Sequence, residues 1–267
     1  MSTAAAAPHP GTSAVEPLPE LDIPDAARQN RLTVLLRVLL LVPQLIVLFF
    51  LGIAGFFATV AAWFAGLVLG RLPAGLAGFL TGVLRYDTRV TASLMLLVDR
   101  YPPFALEDRA DYPVRIEVRP VPLNRLAVFF RILLMIPAVI VESLATGGWW
   151  AVSFLIWLVV LVLGRMPKPL FQATAAILRY RMRLGAYLMM ITSAYPKRLF
   201  GDPVPVGAAW GRPQSATRPL LMGTGGRVLV IVFLVLGLLS GAGSGGGAST
   251  SDTDGGTNAA ARLTPAG

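Results

Sequence analysis

LGRLPAGLAGFLTGVLRYDTRV, residues 69–90, returns as LGRMPKPLFQATAAILRYRMRL, residues 163–184, after a shift of 94. Sliding the whole chain by that shift aligns Asn30 to Pro102 with Asn124 to Pro196 without a gap, giving 27 identities in 73 positions. The chain is a tandem duplication, and an internal repeat constrains architecture before any local propensity does. The matched points are Asn-Arg-Leu at 30 and 124, Arg37 with Arg131, Pro43 with Pro137, Trp63 with Trp157, and Tyr101-Pro102 with Tyr195-Pro196.

Composition gives the environment. The 267 residues are 55% hydrophobic and 14% charged with a mean hydropathy of +0.68, whereas a soluble domain carries about 25% charged residues. This is a membrane protein. The excess of 23 Lys and Arg over 14 Asp and Glu points to anionic membrane lipids as partners, at about 1 kcal/mol per basic side chain near the headgroups. Nucleic acid is not expected, because no basic run stands free of apolar sequence. There is no cysteine, and the single histidine, His9, lies in an Ala/Pro/Ser-rich leader without the basic start of a signal peptide.

At Arg-x5-Pro in the first apolar segment, then Trp, Gly-Arg-x-Pro, Arg-Tyr-x-x-Arg and a closing Tyr-Pro-Pro-Phe (101–104), the chain resembles domain of unknown function family 4389. These are bacterial, often actinobacterial, membrane proteins. The resemblance covers residues 18–200 and implies a polytopic membrane protein with no activity to carry over. Copy two departs at its end, reading Tyr195-Pro196-Lys197-Arg198.

Between Arg37 and Arg71 lie 33 residues without a charge, about 50 Å as one helix against about 30 Å of hydrocarbon. Glycines at 52 and 55, and Glu142, Ser143, Thr146, Gly147 and Gly148 in copy two, predict that each apolar stretch folds into a hairpin, with tips near 52–55 and 145–148. Arg31, Arg37 and Arg71 would then gather at one interface and Trp149-Trp150 at the other. Gly70-Arg71-Leu72-Pro73 reads as a left-handed helix stop followed by a helix start. Pro43 and Pro137 are expected to kink the first legs.

The third segment of each copy is amphipathic. At 100° per residue Arg85 and Arg89, and likewise Arg179 and Arg183, share one stripe, the candidate contacts for lipid headgroups or another anion. Arg181 and its counterpart Asp87 project from the opposite, apolar side and form a candidate pair between the copies. Gly75, Gly78 and Gly82 would permit close helix approach there. Two placements fit: the segment lies in the interface, giving five spans with every basic residue before the last span on the cytoplasmic side, or it crosses, giving seven spans and inverted copies. The positive-inside bias favours the first and a cytoplasmic N-terminus at the plasma membrane.

The expected fold is therefore an all-α integral membrane protein. Its parts are a disordered leader (1–27), membrane repeat one (28–104), a connector (105–123), repeat two (124–200), a linker (201–226), a C-terminal transmembrane helix (227–242) and a disordered tail (243–267). Inside the connector, 112–118 alternates like a strand, with 18–24 as its partner.

For function the residues predict no enzyme. Without cysteine or a histidine in the repeats, no metal cluster or histidine-based triad can form, and no cofactor is expected. Asp87 and Asp99 stand over three turns apart, too far for an acid/base pair on one helix. The sequence is read as a non-catalytic scaffold binding anionic lipids, membrane-protein partners or a second copy of itself. The alternative is a small anion transporter or channel built from two repeats.

Overall fold

The structure, a computed structural model, describes residues 18–118, 123–202 and 215–245. It is an all-α membrane protein with one small sheet. In chain order the elements are β1 (Glu20–Asp22), α1 (Arg31–Leu35), α2 (Arg37–Leu69), α3 (Ala74–Leu94), β2 (Arg115–Glu117), α4 (Arg125–Ala151), α5 (Ser153–Leu163), α6 (Lys168–Leu188) and α7 (Thr224–Gly245). Asn30 and Asn124 open the two copies alike: each side-chain oxygen accepts from the backbone N–H two residues on, Leu32 or Leu126, satisfying a donor the helix leaves orphaned. Gly70 and Gly164 close the long segments at φ +67 and +64, a conformation glycine adopts without a Cβ penalty. Pro73 and Pro167 cap the helices that follow.

The expected hairpins are not formed. α2 runs through Gly52 and Gly55 as a single helix of 33 residues. Copy two is interrupted only at Val152, whose carbonyl still accepts from the Ile156 N–H, so the chain continues as α5. Glycine inside a helix costs about 1 kcal/mol, too little to reverse a chain whose neighbours pack well. Several of the residues read as punctuation have a packing partner instead, although Gly52 faces open space. Gly55 lies against Val83, Gly148 lies against the backbone of α7 at Phe233, and Glu142 faces Arg181. Arg31 and Arg71 therefore lie at opposite ends of one long segment. Arg37 is buried, and Trp149, expected in an aromatic belt, is buried and donates to Thr174 Oγ1 at 3.1 Å. Pro43 and Pro137 sit inside α2 and α4.

The two copies are related by a pseudo-two-fold axis. Trp63 Nε1 donates to the Val128 carbonyl at 3.2 Å, and Trp157 Nε1 donates to the Val34 carbonyl at 2.9 Å. The Leu123 N–H reaches the Gly70 carbonyl at 3.2 Å, and the Gln29 N–H reaches that of Gly164 at 2.9 Å. Within each pair, one bond is the other shifted by one repeat, so α2 runs antiparallel to α4 and α5. α3 and α6 cross on the axis, where the equivalent residues Asp87 and Arg181 touch. The sheet straddles it too: Leu21 pairs with Ile116 and Asp22 with Arg115, two pairings that the repeat shift exchanges. Along the axis the order is sheet, then α3 with α6, then the long segments.

The strand expected at 112–118 is β2, and its partner is β1. Residues 18–27, expected to belong to an unfolded leader, instead bury Leu21 and Ile23. Thr217 Oγ1 locks them by donating to the Leu21 carbonyl at 2.7 Å and accepting from the Ile23 N–H at 2.8 Å. The rest of the leader (1–17) and the tail from 246 lie outside the described residues.

α7 breaks the symmetry, packing on α4 and α6 of copy two. The approach is so close that a Cβ on Gly148 would meet the Phe233 carbonyl oxygen at 1.6 Å, and one on Gly237 would meet that of Leu144 at 2.0 Å. Close packing at small residues replaces the hydrophobic drive that is missing between helices in lipid. α2, α4 and α7 are each long and apolar enough to cross a membrane.

Candidate functional site

Every arginine of the two stripes lies on the side of α3 or α6 that faces the sheet and the returning connectors, as the 100° spacing requires. Three of the four hold carbonyls or carboxylates of the chain itself. Arg89, 1% exposed, donates to the carbonyls of Ala105 at 3.1 Å and Glu107 at 2.9 Å and lies 3.5 Å from Asp108. Arg183 donates to Pro19 and Lys197, both at 2.9 Å. Arg179 binds the Asp202 carboxylate at 2.6 Å and the Arg198 carbonyl at 3.0 Å. These guanidiniums staple the irregular chain after α3 and α6, and the entering chain at Pro19, onto the helices. A guanidinium can do this because its five donors diverge in one plane.

Arg85 differs. It is half-buried, and among the described residues no carboxylate or carbonyl engages it; its buried Nε is unpartnered, as is that of Arg179. The duplication accounts for the difference. One repeat before Asp202 stands Asp108, which leans on Arg89 and leaves Arg85 alone.

Asp202, like Asp108, is a carboxylate of this set that sequence reasoning missed, because both lie beyond the aligned repeat. Burial of Asp202, the largest single influence, pushes its pKa up. The Arg179 charge, the Leu220 N–H at 3.0 Å and Arg183 together outweigh burial and hold the pKa below the ordinary range. Burial pushes the Tyr112 phenol far up, against the pull of Arg37, Arg89 and Arg100; its hydroxyl donates to the Arg100 carbonyl at 3.1 Å.

On the opposite face of α3 and α6 the structure brings Asp87 and Arg181 to 3.2 Å. Glu142 of α4 completes the cluster at 3.5 Å from Arg181 and accepts from the Thr146 hydroxyl at 3.0 Å. The close helix approach expected at Gly75, Gly78 and Gly82 does not occur: Gly75 and Gly78 face open space, and Gly82 is covered by Leu106. Leu84 against Gly185 makes the contact between α3 and α6 instead.

Two further arginines carry structure that the sequence reading had placed at the interface or passed over. Arg37 binds Asp99 at 2.8 Å, Gln29 at 3.2 Å and the Ser93 carbonyl at 3.0 Å, tying the start of α2 to the end of α3. Arg131 does the equivalent at the end of α6, with its guanidinium 4.0 Å over the Tyr187 ring. The signal was available, since both belong to the matched positions of the duplication.

The exposed basic side chains Arg31 and Arg165 mark one end of the long segments, and Arg71 and Arg125 mark the other. Among the described residues no three His, Cys, Asp or Glu converge as a metal site would require. The arrangement holds peptide carbonyls and carboxylates against three of the stripe guanidiniums and, among the described residues, leaves that of Arg85 without one.

A family model described as Domain of unknown function (DUF4389) matches residues 31–105 and again 125–199, together more than half of the chain. The chain belongs to that family. The two matches coincide with the two copies and end before Asp108 and Asp202, so the matched ranges include the four stripe arginines and exclude these two acids. No curated protein and no solved structure matches the chain.

Proposed function

We propose that this membrane protein is a non-catalytic scaffold that sits in lipid and holds anionic headgroups at its basic edges. The division of its surface carries this reading. Among the described residues, apart from Tyr101, Phe104, Phe200 and Leu221, every large hydrophobic side chain left exposed lies on segments 31–69 and 125–163 or on α7, and none lies on α3 or α6. A contiguous apolar surface of this extent has to be covered by lipid or partners. Arg31, Arg71, Arg125 and Arg165 flank it, each worth about 1 kcal/mol against an anionic membrane.

Of the four stripe arginines only Arg85 has a guanidinium to offer a phosphate, while Arg89, Arg179 and Arg183 act as internal staples. This weighs against an anion pathway, which would need those arginines open. Lipids co-purified with the intact chain provide the test. Changing Arg31, Arg71, Arg85, Arg125 and Arg165 to Gln should cut the anionic-to-zwitterionic ratio several-fold while the protein stays membrane-bound. An unchanged ratio rejects headgroup binding.

A further inference from the structure

We propose that the pseudo-two-fold axis stands along the membrane normal, so that the long helical segments lie along a single leaflet and do not cross the bilayer. The inference rests on the reading that the apolar layer is in lipid, and it names the partner surface as one anionic leaflet.

A two-fold that reverses the direction of a helix stands perpendicular to it. Because α2 runs antiparallel to α4 and α5, both long segments lie across the axis. With the axis along the normal the segments lie flat; with the axis in the membrane plane they stand upright, or lie flat at mid-bilayer with the charged sheet buried beside them, a cost the upright placement shares.

Upright segments meet three penalties. Large apolar side chains are exposed from Leu32 to Leu69 and from Leu126 to Leu163, a stretch of more than 50 Å at 1.5 Å per residue where the hydrocarbon offers about 30 Å. The sheet lies on the axis and hence halfway along the bundle. Glu20, Asp22, Arg115, Glu117 and Arg218 would thus stand at mid-bilayer, where a charge costs at least about 2.5 kcal/mol. The irregular chain after α3 meets the same objection. Leu106 lies against Gly82 in the middle of that helix, and the neighbouring Glu107, Asp108 and Arg109 are exposed. Lipid-exposed irregular backbone does not occur in the hydrocarbon region. Finally, Arg31 with Arg165 and Arg71 with Arg125 would divide evenly between the two sides, against the positive-inside bias.

Turning the axis to the normal removes all three. The long segments and α7 form an apolar layer about one helix diameter, ~10 Å, thick, which fits within one leaflet of about 15 Å. α3 and α6 lie above it, and the sheet and connectors face water. Both basic ends reach the same headgroup plane, and Tyr101 and Phe104, exposed on the connector, lie near the rim where aromatic side chains are enriched.

Because the chain has no cysteine, single cysteines report sidedness directly. Arg71→Cys, Arg165→Cys and Arg115→Cys, in the full-length chain, mark the two ends and the sheet. Cells expressing each variant are treated with a membrane-impermeant maleimide before and after permeabilisation. The proposal predicts that all three label, and from the same side. Labelling of positions 71 and 165 from opposite sides, or protection of 115 in both states while the ends react, overturns the flat placement and leaves the membrane reading standing. Release of the unmodified chain from membranes by alkaline washing overturns both.

Discussion

Arg181 Nη2 stands 3.2 Å from Asp87 Oδ1, although the two positions are equivalents in a duplication that otherwise matches arginine with arginine at 85 with 179 and 89 with 183. Only a residue on the pseudo-two-fold axis can touch its own equivalent. A like pair would bring two arginines or two acids together, and the Asp/Arg divergence turns that repulsion into an ion pair.

The pair predicts an asymmetric double-mutant cycle. Arg181→Asp places three carboxylates together with Asp87 and Glu142 and should cost about 1–2 kcal/mol, less than removal of a partner from a fully buried pair because Arg181 is 39% exposed. Asp87→Arg leaves Glu142 to share and should cost less. The double change should recover most of the loss, a coupling of about 1–2 kcal/mol after allowing for 39% exposure of Arg181. Denaturation in detergent reads all three, and additive losses would count against the pair.

α7 is held by absent side chains. Gly148→Ala and Gly237→Ala should each detach or shift α7, because the added carbon meets backbone that cannot move aside. Gly52→Ala meets nothing within 4 Å and should leave the fold intact or stabilise it by up to about 1 kcal/mol. Protease cleavage near 215–223 separates the two, being faster only for the first pair.

Asp202 makes stability depend on acid. Its folded-state pKa is depressed, so its contribution is fully present above its unfolded value of about 3.9 and is lost as pH falls through the lower folded value. Asp202→Asn should destabilise the protein at neutral pH and flatten the acid limb of its stability curve below about pH 4. Thermal melts at pH 7 and pH 3 measure both effects.

The tryptophans test the symmetry itself. Trp63→Phe and Trp157→Phe each remove one hydrogen bond to a carbonyl of the other copy and should cost similar amounts, about 1 kcal/mol. A cost confined to one of them would mean that the copies are not equivalently joined.

Much of this architecture was legible in the chain. The repeat gave the two copies, the Gly-Arg-x-Pro stops and the face on which each arginine stands, because helical spacing alone decides which side chains share a side. The hairpins were misread because a glycine that lets a helix turn and a glycine that lets another helix approach look the same in one sequence. Gly148 was of the second kind, and its partner Phe233 lies 85 residues on (233 − 148). The occupation of Arg89, Arg179 and Arg183 was hidden for a different reason. Their partners are mostly backbone carbonyls, which every residue carries and no motif marks. Asp202 and Glu142 carried a visible charge but no spacing that connected them to the arginines.

The placement of the axis is the central claim, and helix orientation tests it most directly. Amide I dichroism of the intact chain in oriented anionic bilayers should report helix axes lying mostly in the membrane plane. A dichroism showing the helices aligned with the membrane normal would contradict it.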